Sequence, residues 1–129
     1  MIQFKARCMT NSKTQKTFYY PQIANTENMS MEQLVYHMNT THHSPYSAGL
    51  IRGVLRDMSQ CIRELVMAGN SVTLDGLCNF ALYIKSAGGS DTADNVSTTN
   101  IRSVRMRAST RQADVRNELK AENCQFKKV

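Results

Sequence analysis

The chain has 129 residues, 41% of them apolar, with no tryptophan and a formal net charge of +6. That is material for one domain with a modest core, aliphatic and methionine-rich. No apolar run approaches the roughly 20 residues that a membrane-spanning helix needs, and Met1-Ile2-Gln3-Phe4-Lys5 lacks the apolar centre of a signal segment, so a cytoplasmic protein is expected. Cys8, Cys61, Cys78 and Cys124 are far apart and form no Cys-x-x-Cys. A zinc site is therefore not expected, and the thiols read as small reduced hydrophobes. The positive charge sits at the two ends. Residues 1–29 hold four basic residues against one acidic, 30–86 balance at four each, 87–100 hold two acids and no base, and 101–129 hold eight basic against three acidic. Such segregation points to a polyanion partner, although a solvated basic face has the same appearance.

In chain order, Gln3–Met9 alternates polar and apolar residues, Thr10-Asn11-Ser12-Lys13 supplies turn residues, and Lys16–Pro21 is aromatic and β-prone; together they predict a hairpin. Its aromatics Phe18, Tyr19 and Tyr20 are read as packing residues, with a stacking or phosphate-contacting surface as the alternative. Ser30-Met31-Glu32-Gln33 has capping-box spacing, and Met31, Leu34, Val35 and Met38 form one helical stripe. Ser44-Pro45 marks the start of a second helix. Its stripe runs from Leu50 to Val66 and ends at Gly69. A stripe this long exceeds what one small sheet covers, so a second copy of the chain is expected against it. The His42-His43 pair lies between these helices and is read as a solvated loop.

Val72–Lys85 alternates around Asp75-Gly76 and predicts a half-buried hairpin or a sharply bent strand. Cys78, Phe80, Leu82 and Ile84 share one face; Asn79, Ala81, Tyr83 and Lys85 share the other. Ser86–Asn95 is small and polar, a flexible loop, and Val96–Asn100 is ambiguous. From Ser103 a strand places Val104, Met106 and Ala108 on one side and Arg105 and Arg107 on the other, with Arg102 at its start and Arg111 just beyond its end. Thr110–Ala121 predicts a last helix, with Ser109 and Gln112 at capping-box spacing. Gln125–Val129 forms a basic tail or a short strand beside the N-terminal hairpin.

Two helices, a glycine stop, Val72-x-Leu74, then Gly76-Leu77-Cys78-Asn79-Phe80 leading into a strand, a loop, a basic strand and a short helix: over residues 30–121 this order resembles the HU/IHF family of histone-like DNA-binding proteins. Gly76-Leu77-Cys78-Asn79-Phe80 looks like the family's Gly-Phe-Gly-x-Phe turn, with Leu77 a conservative departure and Cys78 in place of the second glycine. The chain looks like a divergent branch with an added N-terminal strand segment. The resemblance implies an α+β fold: two helices under a small antiparallel sheet, a short C-terminal helix, the extra hairpin, and an intertwined homodimer with a saddle of strands. In the family, proline-tipped arms bend the duplex. Here residues 86–100 hold no proline, lysine or arginine but carry Asp91 and Asp94, so the saddle is carried over and the wedge is not.

The domain reading is thus an extension over 1–29, an HU-like domain over 30–121 and a tail over 122–129. The expected function is binding of double-stranded DNA with little sequence preference, in the manner of a nucleoid-associated protein. Lys85, Arg102, Arg105, Arg107 and Arg111 neutralise phosphates, with Tyr83 on the same face. The alternative is a structural module that keeps the dimer and uses the extra hairpin and the acidic loop to bind protein. No nucleophile elbow, His-Glu-x-x-His or phosphate loop occurs, so no enzyme, no metal or other cofactor and no small-molecule substrate is expected.

Overall fold

The computed structural model describes residues 1–129. The elements are β1 (Ile2–Thr10), β2 (Thr17–Ile23), α1 (Met31–Thr40), α2 (Ala48–Met67), β3 (Val72–Leu74), β4 (Cys78–Ser86), β5 (Ile101–Ser109), α3 (Ala113–Glu118) and β6 (Phe126–Lys128). The class is α+β, with two three-stranded sheets in the orders β2-β1-β6 and β3-β4-β5. The chain divides into two compact units, residues 31–116 and residues 1–30 with 117–129.

In the first of these units α1 and α2 pack together, and α2 also packs against β3 and β4. Val35 of α1 and Ile51 and Val66 of α2 are buried. Glu32 and Arg52 tie the helices at the surface, with Arg52 Nε donating to Glu32 Oε1 at 2.6 Å and Nη2 to Oε2 at 2.7 Å. The hydrogen bond from Arg52 holds the Glu32 carboxyl below its ordinary range.

The start of α2 differs from the sequence expectation. Ser44-Pro45 lies in the preceding turn, and Ser47 is the cap, its Oγ accepting from Leu50 N at 3.2 Å. Two serines bracket Pro45, and the one whose hydroxyl faces a free amide three residues on becomes the cap. The far end follows the glycine stop. Gly69, at φ +92°, lets its own N–H reach Val66 O at 3.0 Å and Asn70 N reach Leu65 O at 3.1 Å. This paired arrangement terminates a helix on a left-handed residue.

Val72–Lys85 is a hairpin, not a bent strand. β3 and β4 pair antiparallel with Val72 opposite Phe80 and Leu74 opposite Cys78. Gly76, at φ +76°, sits in the turn that Leu77 N closes on Leu74 O at 3.1 Å. β4 then pairs with β5 from Asn79–Ser109 to Ser86–Ile101.

The stretch 86–100 is more ordered than its composition suggests. It holds two short 3-10 turns, Ala93–Asn95 and Thr98–Asn100. The Asn100 side chain closes it, accepting from Ser97 N at 2.9 Å and donating to Gly88 O at 2.9 Å, while Ala87 N reaches Asn100 O at 2.7 Å.

The last helix is shorter than Thr110–Ala121. Ser109 still belongs to β5 and α3 spans only Ala113–Glu118. Gln112, predicted to cap, is engaged elsewhere.

In the other unit, β1 and β2 pair antiparallel from Phe4–Ile23 to Thr10–Thr17, and β6 joins β1 in parallel, Ile2 opposite Phe126. Phe4 and Phe126 meet edge to face at 6.4 Å. Phe18, Tyr19 and Tyr20, expected to pack, are instead all exposed.

The revised cap makes a direct test. Ser47→Ala lowers the unfolding free energy by about 1 kcal/mol, read from the denaturant midpoint, whereas Ser44→Ala leaves it within about 0.5 kcal/mol.

Candidate nucleic-acid interface

Alternation along β4 and β5 sorts their side chains onto two faces. The register sets Ala81 opposite Arg107, Tyr83 opposite Arg105 and Lys85 opposite Ser103 on one face. Phe80 with Ala108, Leu82 with Met106 and Ile84 with Val104 share the other. The first face is basic and the second wholly apolar.

Tyr83 organises the basic face. Ala81 is small, so Arg107 opposite it leans diagonally over the Tyr83 ring, its Cζ 5.0 Å from the centroid. Arg111, beyond the end of β5, donates from Nη2 to the Tyr83 hydroxyl at 3.2 Å. One half-buried aromatic therefore holds two guanidinium groups. Lys85, Arg105, Arg107 and Arg111 are all exposed, and none is in an ion pair. With Tyr83 and Ile84, the first three line a shallow cleft of about 240 Å³. Four unneutralised cations on one pleated surface suit repeated anionic groups, and two of them are pre-positioned before any ligand arrives.

Arg102 stands apart from the other predicted residues. Lys85 pairs with Ser103 and Ser86 with Ile101, so Arg102 is the extra residue of a bulge in β5 and has no residue opposite it.

Arg111 owes its position to its neighbour. Gln112 Oε1 accepts from Gly76 N at 2.5 Å, and its Nε2 donates to Leu74 O at 2.8 Å. Gln112 thus clasps both sides of the β3–β4 turn and anchors the chain where it leaves β5. Capping-box spacing marked this residue, but for another role; nothing local in the sequence signals a partner thirty-six positions away. Asn79, expected on this face, has a burial and a partner that alternation alone does not show. It is buried at the base of this face and donates to Thr73 Oγ1 at 2.8 Å. Its Oδ1 and the hydroxyl of Ser109, opposite it across the ladder, have no partner.

Helices beside a small antiparallel sheet with one basic and one apolar face define the class: an α+β protein built around a two-faced β4–β5 ladder. The chain belongs to the HU-HIG family, described as an HU domain fused to a winged helix-turn-helix, an immunoglobulin or a glycine-rich motif; the family model matches residues 1–128 and so takes in the N-terminal hairpin and β6. Among solved structures, the fold is similar to that of a bacterial protein from Bacteroides vulgatus presumed to bind DNA, with a TM-score of 0.64 and 15% identity. The likeness covers the whole of this chain and 49% of that one, so the chain spans about half its length. No curated protein sequence matches.

The clasp predicts a stability effect with a positional consequence. Gln112→Ala leaves Gly76 N without its partner and Leu74 O with the Leu77 N–H alone. It should cost about 1–2 kcal/mol in denaturant unfolding and release the Gly76 amide to faster hydrogen exchange.

Proposed function

We propose that the chain is a non-enzymatic, HU-like protein that binds double-stranded DNA with little sequence preference, as a nucleoid-associated protein does. Lys85, Arg105, Arg107 and Arg111 neutralise backbone phosphates, with Arg102 at the margin. The observation that carries this reading is the basic face itself. Its cations lack ion-pair partners, and Tyr83 holds Arg107 and Arg111 in place. Membership of the HU-HIG family supports it, as does the likeness in fold to a protein presumed to bind DNA. Phosphate contacts of this kind give position and affinity without reading bases.

Bending by an inserted wedge forms no part of the proposal. The loop that follows β4 is closed on itself by Asn100 and carries Asp91 and Asp94. A folded acidic loop supports the second reading, a protein-binding module that has lost strong DNA binding. The binding assay separates the two. Duplex affinity should fall with salt at a log–log slope of about −0.9 per phosphate neutralised. Arg105→Ala with Arg107→Ala should weaken it and flatten the slope by about 1.8. A folded protein with no duplex binding at low salt decides for the module.

We also propose that the working form is a homodimer. On the apolar face of the ladder Ile84 is 64% and Val104 51% exposed, and Leu50, Val54 and Leu65 of α2 are exposed as well. A cleft of about 390 Å³ between Met38, Tyr46, Leu50, Ile51, Val54 and Leu55 opens on the same helix. Apolar surface on this scale suits a second copy of the chain. Light scattering should give twice the chain mass at micromolar concentration. Val54→Asp should shift the protein to monomer or unfold it, and a stable folded monomer of the unaltered chain refutes the dimer.

A further inference from the structure

The sheet β2-β1-β6 has two faces as different as those of β4–β5. On one, Ile2, Phe4, Pro21, Ile23 and Phe126 line an apolar cleft of about 410 Å³. On the other, the register brings Gln3 beside Lys127, Lys5 beside Gln22, Arg7 beside Tyr20 and Met9 beside Phe18. We propose that this second face is a separate nucleic-acid site that takes a single strand, stacking unpaired bases on Tyr20 and Phe18 while Lys5 and Arg7 hold the phosphates.

Three observations carry the assignment, and none depends on the β4–β5 reading. The first is the layout. Lys5 and Arg7 alternate along β1, and Phe18 and Tyr20 along the neighbouring β2, so cations and rings form two adjacent rows on one face. Within each row the step is about 7 Å, two strand residues, a spacing suited to successive nucleotides of an extended strand.

The second is availability. Phe18 and Tyr20 are 52% and 49% exposed, and with Met9, Thr10 and Asn11 they line a notch of about 330 Å³. Neither ring carries a cation. Tyr83 is the contrast: Arg107 lies over its face and Arg111 bonds its hydroxyl. An aromatic ring already covered by guanidinium has no open face for a base. Phe18 and Tyr20 retain theirs.

The third is charge. The unit holds seven basic residues against three acidic, and no acidic residue lies on its strands. Lys13 and Lys16 extend the positive field into the hairpin turn. That turn is held by Asn11, whose Oδ1 accepts from Lys13 N at 2.9 Å and whose backbone N–H reaches Lys16 O at 2.9 Å. Exposed aromatic rows beside unpaired cations are the recurring means of holding single strands without reading their sequence. A duplex keeps its bases stacked inside and offers these rings nothing.

The test uses the full chain and fluorescence anisotropy with a labelled oligothymidine and a duplex of equal length, across a salt series. Phe18→Ala with Tyr20→Ala should weaken oligothymidine binding roughly tenfold or more and leave duplex binding unchanged. Lys5→Gln with Arg7→Gln alters only exposed charged side chains and keeps the sheet; it should flatten the single-strand salt slope by about 1.4. Arg105→Ala with Arg107→Ala should weaken the duplex and spare oligothymidine. Three results overturn the proposal: no oligothymidine binding by the unaltered protein, binding indifferent to both N-terminal variants with circular dichroism unchanged, or equal loss in the Arg105 and Arg107 variant. If duplex binding is absent throughout, the β4–β5 reading fails and the single-strand measurement still stands.

Discussion

The pairing of β4 with β5 is the constraint on which the rest of this structure depends. Residues directly opposite in an antiparallel ladder share a face, so one register decides at once where every side chain on both strands goes. With Tyr83 against Arg105 and Ala81 against Arg107, the cations gather on one side and the aliphatic residues on the other. A slip by one residue would turn Val104 and Met106 to the basic side and Arg105 and Arg107 to the apolar one. The hairpin before β4 and the Gln112 clasp hold that register from one end. At the other end it shifts between Lys85 and Ser86, where Arg102 bulges before Ile101 pairs with Ser86.

The two-faced ladder also explains why so little of the unit is buried. Val35, Ile51 and Val66 lie inside, while the apolar face of β4–β5 and one side of α2 remain open. An apolar surface left in water opposes folding, which is the physical ground for the second copy that we propose. The closed loop after β4 follows another logic. Asn100 satisfies several backbone groups of a glycine- and serine-rich stretch whose one large apolar residue, Val96, is exposed. A reaching arm would leave those groups to solvent.

Much of this was legible along the chain. The period-two stretches at Val72–Lys85 and Ser103–Ala108 announced both ladder strands and which residues share a side, because alternation is a local property. Gly69 and Gly76 announced a helix end and a turn, because their positive φ is also local. The errors arose where two local signals competed or where a partner was remote. Ser44 and Ser47 both suit a cap, and only the path of the chain around Pro45 selects Ser47. Gln112 has the spacing of a capping residue, yet Gly76 N and Leu74 O, distant in sequence, engage it first. The Phe18–Tyr20 run has strand propensity whether or not anything packs on it, so its exposure could not be read from composition.

By itself the sequence determined the α+β class, the order of the helices and strands, the segregation of basic charge to the chain ends and the two-sidedness of each strand. All of these depend on residues within a few positions of one another. Only the tertiary structure decided what lies across from what. It set Ala81 opposite Arg107, so that a guanidinium rests on Tyr83; it brought Arg111 to the same ring; and it left Phe18 and Tyr20 open beside Lys5 and Arg7. Those arrangements come from strand register and chain crossing, which join residues far apart in sequence and leave no mark on the residues between them.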